Sequence, residues 1–185
     1  MASIIKNVGD CGISKSRNYY QALVHSIMAQ QISVKASQSI AKKFYKLIGN
    51  KLEPGNVLRY SIEELRTVGL SVQKATYIRD LSEKFALNKN IYNHLEQYSD
   101  QEVIVKLTEV KGIGIWTAQM FLIFSLGRLD VLPLDDVGFQ NAFRKYYKMK
   151  KRPSPKYLER MSKKWSPYRS VAVWYLWEAF DKSIM

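Results

Sequence analysis

Two stretches of the sequence hold residues whose types and spacing could do chemistry. The first is Lys111-Gly112-Ile113-Gly114, a tight turn between two apolar runs. Two glycines in four residues open backbone conformations closed to other residues, and they leave the amides of the next helix start uncovered. Such amides can hold a phosphate, helped by the positive end of the helix dipole and by the charge of Lys111. An ordinary helix-helix turn would show the same pattern. The second stretch is Leu132-Pro133-Leu134-Asp135-Asp136, which opens a further helical pattern. The dipole favours a negative charge there, and a carboxylate so placed can stabilise a developing cation, activate water, or do both. The plain alternative is that both acids only cap the helix, a contribution of about 1 kcal/mol.

The elements that must position these groups are helical. Residues 1–16, with Gly9 and Gly12, are expected to form an irregular arm. Over 17–28, Tyr20, Leu23, Val24 and Ile27 recur at helical spacing. That helix delivers Gln30-Gln31-Ile32-Ser33 to a junction where side chains project. Ser33 caps a second helix to about residue 48, with Ile40, Ala41, Phe44 and Leu47 or Ile48 inward. A Pro/Gly linker is expected over 51–56. Ser61-Ile62-Glu63-Glu64 is a capping box for a short helix stopped by Gly69. Ser71 caps a helix over 72–87 with Ala75, Ile78, Leu81 and Phe85 inward; Lys74 and Arg79 lie off that stripe, as phosphate contacts or, in the preferred reading, as its solvated face. A second capping box, Ser99 to Glu102, starts the helix that 107–110 closes before the turn. Residues 115–126 then form an almost wholly apolar helix.

Past Asp136, Phe139, Ala142, Phe143 and Tyr146 continue a helix that turns basic at Arg144, Lys145 and Lys148, and Lys150-Lys151-Arg152 form an exposed basic cluster. Ser154-Pro155 and Ser166-Pro167 each predict a helix start. The last helix, to about residue 181, carries Val171, Val173 or Trp174, and Trp177. No stretch alternates with period two between turn signals, so the expected fold class is all-α.

A chain of 185 residues can bury a substantial core as one domain or as two small lobes. A net charge of +13 favours a polyanionic partner, without choosing among DNA, RNA and an acidic membrane. Cys11, the only cysteine, excludes an internal disulfide and cannot supply the four thiolates of an iron-sulfur cluster. His25 and His94 lie far apart without metal-ligand company, so no metal is expected. No N-terminal apolar signal and no run of roughly 18 apolar residues occurs. The expectation is an intracellular protein without a membrane span.

From Leu107 through Lys111-Gly112-Ile113-Gly114-Ile115-Trp116-Thr117-Ala118 to Leu132-Pro133-Leu134-Asp135-Asp136, the chain resembles the helix-hairpin-helix, Gly/Pro-Asp superfamily of DNA glycosylases. Within it, the chain is most similar to the 3-methyladenine DNA glycosylase II type. Gln30-Gln31-Ile32-Ser33, Gly69-Leu70-Ser71 with Lys74-Ala75, and Trp165-Ser166-Pro167-Tyr168-Arg169-Ser170 through Trp177 extend the resemblance over most of the chain.

The resemblance implies one glycosylase domain of two helical lobes with the lesion pocket between them. The central lobe would be 30–132, with the hairpin at 107–126, and the terminal lobe 1–29 with 133–185. It implies Asp136 as the catalytic acid, leaving Asp135 as the cap. Trp116, Met120 and Trp177 match pocket positions suited to cationic alkylated purines; Met120 stands where relatives can carry a tyrosine. Trp174 is read as core, and Tyr168 stays open. Gln31, then Ile32, match the wedge that fills the gap left by a flipped nucleotide. Lys111, the amides of Gly112 and Gly114, and Thr117 would grip phosphates.

Trp116 occupies the position where relatives that nick DNA through a Schiff base place lysine, so a monofunctional, water-using enzyme is expected. The implied partner is double-stranded DNA with damaged bases, bound by a monomer in the nucleoid or nucleus. No cofactor is implied beyond a monovalent cation that relatives can hold at the hairpin. A non-catalytic helix-hairpin-helix DNA-binding protein is the alternative. A mismatch-type glycosylase or lyase is disfavoured by the missing lysine and cysteines.

Overall fold

Five serines stand where a helix start needs an acceptor in the computed structural model, which describes residues 1–16, 18–49 and 51–183. Ser33, Ser61, Ser71, Ser99 and Ser154 each accept the backbone N–H three residues on. Glu64 and Glu102 close reciprocal boxes by accepting from Ser61 N at 2.7 Å and Ser99 N at 2.8 Å. These caps set the starts of α3, α5, α6, α8 and α11 in the helix order α1 Ala2–Val8, α2 Tyr19–Ala29, α3 Val34–Ile48, α4 Pro54–Val57, α5 Ile62–Arg66, α6 Val72–Leu87, α7 Lys89–Tyr92, α8 Asp100–Thr108, α9 Ile115–Phe124, α10 Val137–Tyr146, α11 Pro155–Ser162 and α12 Arg169–Asp181. Short 3-10 turns lie at Leu95–Gln97 and Lys163–Trp165. No strand occurs among the described residues, so the chain is all-α as expected.

Packing divides the chain into two units. In Ser16–Phe121, α6 is the axis. Its Ala75, Ile78, Leu81 and Phe85 are buried with Leu23, Val24 and Ile27 of α2 and Phe44 of α3. Each such aliphatic or aromatic side chain contributes about 1.5–3 kcal/mol of hydrophobic stabilisation. A polar break in this core is satisfied: Tyr20 Oη and Ser82 Oγ share a hydrogen bond of 2.6 Å, and Ser82 Oγ also donates to Ile78 O at 2.6 Å.

The other unit is Met1–Lys15 with Leu122–Met185. Phe139 and Phe143 of α10 meet edge-on at 5.9 Å, and Trp165 joins Phe143 at 5.9 Å. Leu158, Val173 and Leu176 complete a buried core.

Several expectations are corrected. The arm over 1–16 contains α1, because Ile4 drops into the same core as Phe139 and Leu176. Packing places the boundaries of the two units at residues 16 and 122, where 30 and 133 were expected, and α2 packs against α6. The linker over 51–56 includes the start of α4, with Pro54 at its first position. Ser166 does not cap α12: the helix starts at Arg169, and the Ser166 hydroxyl donates to Asp130 Oδ2 at 3.0 Å. Arg17, the expected start of the first long helix, lies outside the described residues.

Candidate active site

Asp136 is the N-cap of α10, and this corrects the division of labour between the two acids. Asp135 is exposed in a turn, whereas Asp136 is 9% exposed. Its Oδ1 accepts two N–H bonds, from Phe139 N at 2.5 Å and from Trp177 Nε1 at 2.9 Å. Both donors, and the dipole of α10, turn partial positive charge toward this oxygen. The cap and the candidate catalytic group are therefore one residue.

The indole of Trp177 is held in turn by stacking on Phe124, with ring centroids 6.0 Å apart and planes 27° apart. Gly138 leaves room for this pairing, since a Cβ there would lie 3.2 Å from Asp136 Oδ1 and 3.3 Å from Trp177 Nε1.

What registers α12 against the Asp136 loop is a clamp that the motif positions did not reveal. Arg169 grips Asp130 through Nε at 2.7 Å, Nη2 at 2.8 Å and its backbone N at 3.1 Å. The guanidinium holds the Asp130 carboxyl below the usual aspartate range. Ser170 N donates to Leu129 O and Val131 N donates to Ser170 Oγ. The strand of loop before Asp136 is thus stitched to the first turn of the helix that carries Trp177. Asp130 and Arg169 lie 39 residues apart, and only their opposite charges mark the pair in the sequence.

In the Ser16–Phe121 unit, the hairpin and the corner after α2 share one recess of 830 Å³, lined by Gln30, Gln31, Ile32, Gly112, Trp116 and Thr117 among others. Gln30 Nε2 donates to Gly112 O at 2.9 Å, tying corner to hairpin. Gln31 has φ +55°, a left-handed conformation that costs a non-glycine residue roughly 1–2 kcal/mol. It is exposed, as is Ile32.

Lys74 is no solvated side chain. Its ammonium donates to Met28 O at 2.9 Å and Gln30 O at 2.7 Å, taking carbonyls at the end of α2, and burial lowers its pKa. Arg79 is likewise a brace: it donates to Tyr60 O and pairs with Glu83 at 3.8 Å.

The hairpin glycines differ. Gly112 has φ +80°, and a Cβ there would fall 2.0 Å from Tyr77 Cδ2. Gly114 has no positive φ, and nothing lies within 4 Å of its Cβ position. The fold requires the first and not the second. Lys111 does not offer an unopposed charge, because Asp80 accepts its backbone N–H at 2.9 Å and stands 4.0 Å from its Nζ. Thr117 is 6% exposed, so the surface of the hairpin is made by Lys111, Gly112 and Gly114.

On α9, Trp116 is 47% exposed, and Met120, one turn on, is half-buried. Trp174 packs edge-on against Tyr175 at 5.0 Å, and Tyr168 is exposed. A monovalent cation at the hairpin would rest on main-chain carbonyls, since no group of three His, Cys, Asp or Glu gathers among the described residues. No helix of the described residues is long and apolar enough to cross a membrane.

Residues 24–167 match the family model of HhH-GPD superfamily base excision DNA repair proteins. The chain belongs to the HhH-GPD superfamily. This HhH-GPD protein is 32% identical to DNA-3-methyladenine glycosylase 1 of Schizosaccharomyces pombe over 181 residues, 95% of this chain and 79% of the relative. It is 32% identical to the alkylbase DNA glycosidase-like protein mag2 of the same yeast over 184 residues, 96% of this chain and 86% of that one. Among solved structures it is similar to the S. pombe 3-methyladenine DNA glycosylase in complex with abasic DNA, with TM-score 0.83, 30% identity, and coverage of 97% of this chain and 90% of that one. The DNA-3-methyladenine glycosidase of Bacillus halodurans matches with TM-score 0.87 and 39% identity, over 98% and 85% of the two chains.

Proposed function

We propose that this HhH-GPD protein is a monofunctional DNA N-glycosylase that excises alkylated purines of the 3-methyladenine type by hydrolysis and leaves an abasic site. The observation that carries the reading is the Asp136 carboxylate, fixed at the start of α10 by the Phe139 amide and the Trp177 indole. Cleavage of an N-glycosidic bond gives the sugar oxocarbenium character, and a preorganised carboxylate is the group that stabilises it. The same carboxylate can accept a proton from the attacking water.

Trp116, at the position of the lyase lysine, has no amine to form an imine, so water is the nucleophile. Its exposed indole and Met120, one turn on, offer the electron-rich and polarisable faces that a cationic base prefers. Gln31, pushed outward by its left-handed backbone, is the wedge, with Ile32 beside it. Gly114, bare where the fold does not demand it, lets a phosphate approach the start of α9 and the positive end of its dipole. The relatives named for 3-methyladenine support the choice of substrate class.

A second reading draws on the same carboxylate. With Oδ1 engaged twice as a helix cap, Asp136 could be structural and the protein a non-catalytic DNA holder. Release of free 3-methyladenine from methylated duplex separates the two: the enzyme liberates it, and a holder binds the duplex unchanged. Borohydride should trap no covalent complex with an enzyme of the proposed type.

A further inference from the structure

The positive charge of the chain is concentrated. Residues 144–164 carry ten Lys or Arg and one acid, Glu159, a net +9 that leaves +4 for the other 164 residues. All ten cations are exposed, and none pairs with a carboxylate among the described residues. A face that only needs to be solvated intersperses both signs, because like charges repel one another across the surface.

Part of this cluster is built rather than scattered. Lys156, Arg160 and Lys163 recur at i, i+4 and i+7 along α11 and the turn after it. With Ser154, Tyr157 and Glu159 they line a recess of 470 Å³. The Arg160 guanidinium lies over the Tyr157 ring, 5.2 Å from its centroid, and Lys164 Nζ lies 5.2 Å from the centroid of Tyr147. Ring contacts of this kind hold a cation in place without neutralising it. None of these residues belongs to the hairpin, the Gln31 corner or the Asp136 site.

We propose that this basic face, centred on the Lys156/Arg160/Lys163 recess, is a second nucleic-acid surface that takes the phosphodiester backbone of duplex DNA whether or not a lesion is present. Three cations with no counter-acid at bonding distance match a run of phosphates, and such contacts carry no sequence information. The choice of DNA among polyanions rests on the base-excision reading above. The surface itself does not depend on Asp136 being catalytic.

The test uses the full chain and undamaged duplex, titrated by fluorescence anisotropy over a salt series. The triple variant Lys156→Gln/Arg160→Gln/Lys163→Gln should make the slope of log K against log salt shallower by roughly 2.7, at 0.9 per phosphate contact. A second variant, Lys150→Gln/Lys151→Gln/Arg152→Gln, should move the slope in the same direction. A control with equal charge loss at the far end of α3, Lys42→Gln/Lys43→Gln/Lys46→Gln, should leave it unchanged.

Unfolding midpoints matching wild type, and an unchanged single-turnover excision rate at saturating enzyme, would complete the expected result. A wild-type slope in both basic-face variants overturns the proposal, as does an equal loss in the α3 control. So does a loss confined to binding of phosphatidylserine vesicles with duplex binding intact. If wild type excises nothing while the slope still shifts, the enzyme reading fails and this surface stands.

Discussion

Alanine at Gly112 should damage the hairpin in two independent ways, and alanine at Gly114 in neither. At Gly112 the backbone has φ +80°, where a Cβ costs about 1–2 kcal/mol. The added carbon would also fall 2.0, 2.4 and 2.5 Å from three ring atoms of Tyr77, inside the ring's own volume. The ring must swing or the turn must lift, and overpacking of this kind costs about 1–3 kcal/mol. Together the loss is about 2–5 kcal/mol, a large share of the roughly 5–15 kcal/mol that holds a domain folded. In a chain of this size that corresponds to a fall in Tm of roughly 4–20 °C.

Gly114 has open space around its Cβ position and no positive φ. Gly114→Ala should therefore be neutral or more stable by up to about 1 kcal/mol, because it restricts the unfolded chain. It should nevertheless weaken binding of an abasic duplex, since the methyl group covers the approach to the α9 amides. Urea denaturation followed by circular dichroism gives the stabilities, and anisotropy gives the affinities. Adding Tyr77→Ala to Gly112→Ala should recover the steric part of the loss and not the backbone part. Unfolding of Gly112→Ala within about 0.5 kcal/mol of wild type, or a Gly114→Ala as destabilised as Gly112→Ala, would refute the requirement for glycine at 112 alone.

Three further outcomes follow from the same geometry. Lys74→Met removes two hydrogen bonds from a charged donor, each worth about 1.5–3 kcal/mol when fully shielded; with Lys74 partly exposed, a net loss of about 1–2 kcal/mol is expected, and a denaturation midpoint equal to wild type would show that the α2 carbonyls need no brace. Trp177→Phe keeps the stack on Phe124 but deletes the indole N–H, so single-turnover excision should slow by roughly tenfold or more; an unchanged rate would remove Trp177 from the positioning of Asp136. Because Arg169 depresses the Asp130 pKa below its ordinary 3.8, the clamp contributes stability above that value and loses it as pH falls through the folded pKa. Asp130→Asn should accordingly flatten the acid limb of a stability profile below about pH 3.8, and an acid limb as steep as wild type's would contradict the clamp.

What was legible in the sequence was local. The capping boxes at Ser61 and Ser99 and the caps at Ser33, Ser71 and Ser154 need only a side chain and an amide three residues away, so pattern and structure agree. The roles of Lys74 and Arg79 were hidden because their partners are main-chain carbonyls, which leave no mark in residue type. Helix α1 was hidden because the core that stabilises it, with Phe139 and Leu176 around Ile4, comes from the other end of the chain. Two adjacent aspartates cannot be told apart by composition. Trp177, 41 residues away, binds Asp136, a long-range contact that residue type does not show.

The measurement that bears most directly on the account is single-turnover release of 3-methyladenine from methylated duplex by wild type and Asp136→Asn. Asparagine is as good an N-cap as aspartate, and its Oδ1 can still accept from the Phe139 amide and the Trp177 indole, while the negative charge is gone. The account predicts a variant with wild-type unfolding and wild-type affinity for abasic duplex that releases no base on the wild-type timescale. Excision at a near-normal rate by Asp136→Asn would contradict it.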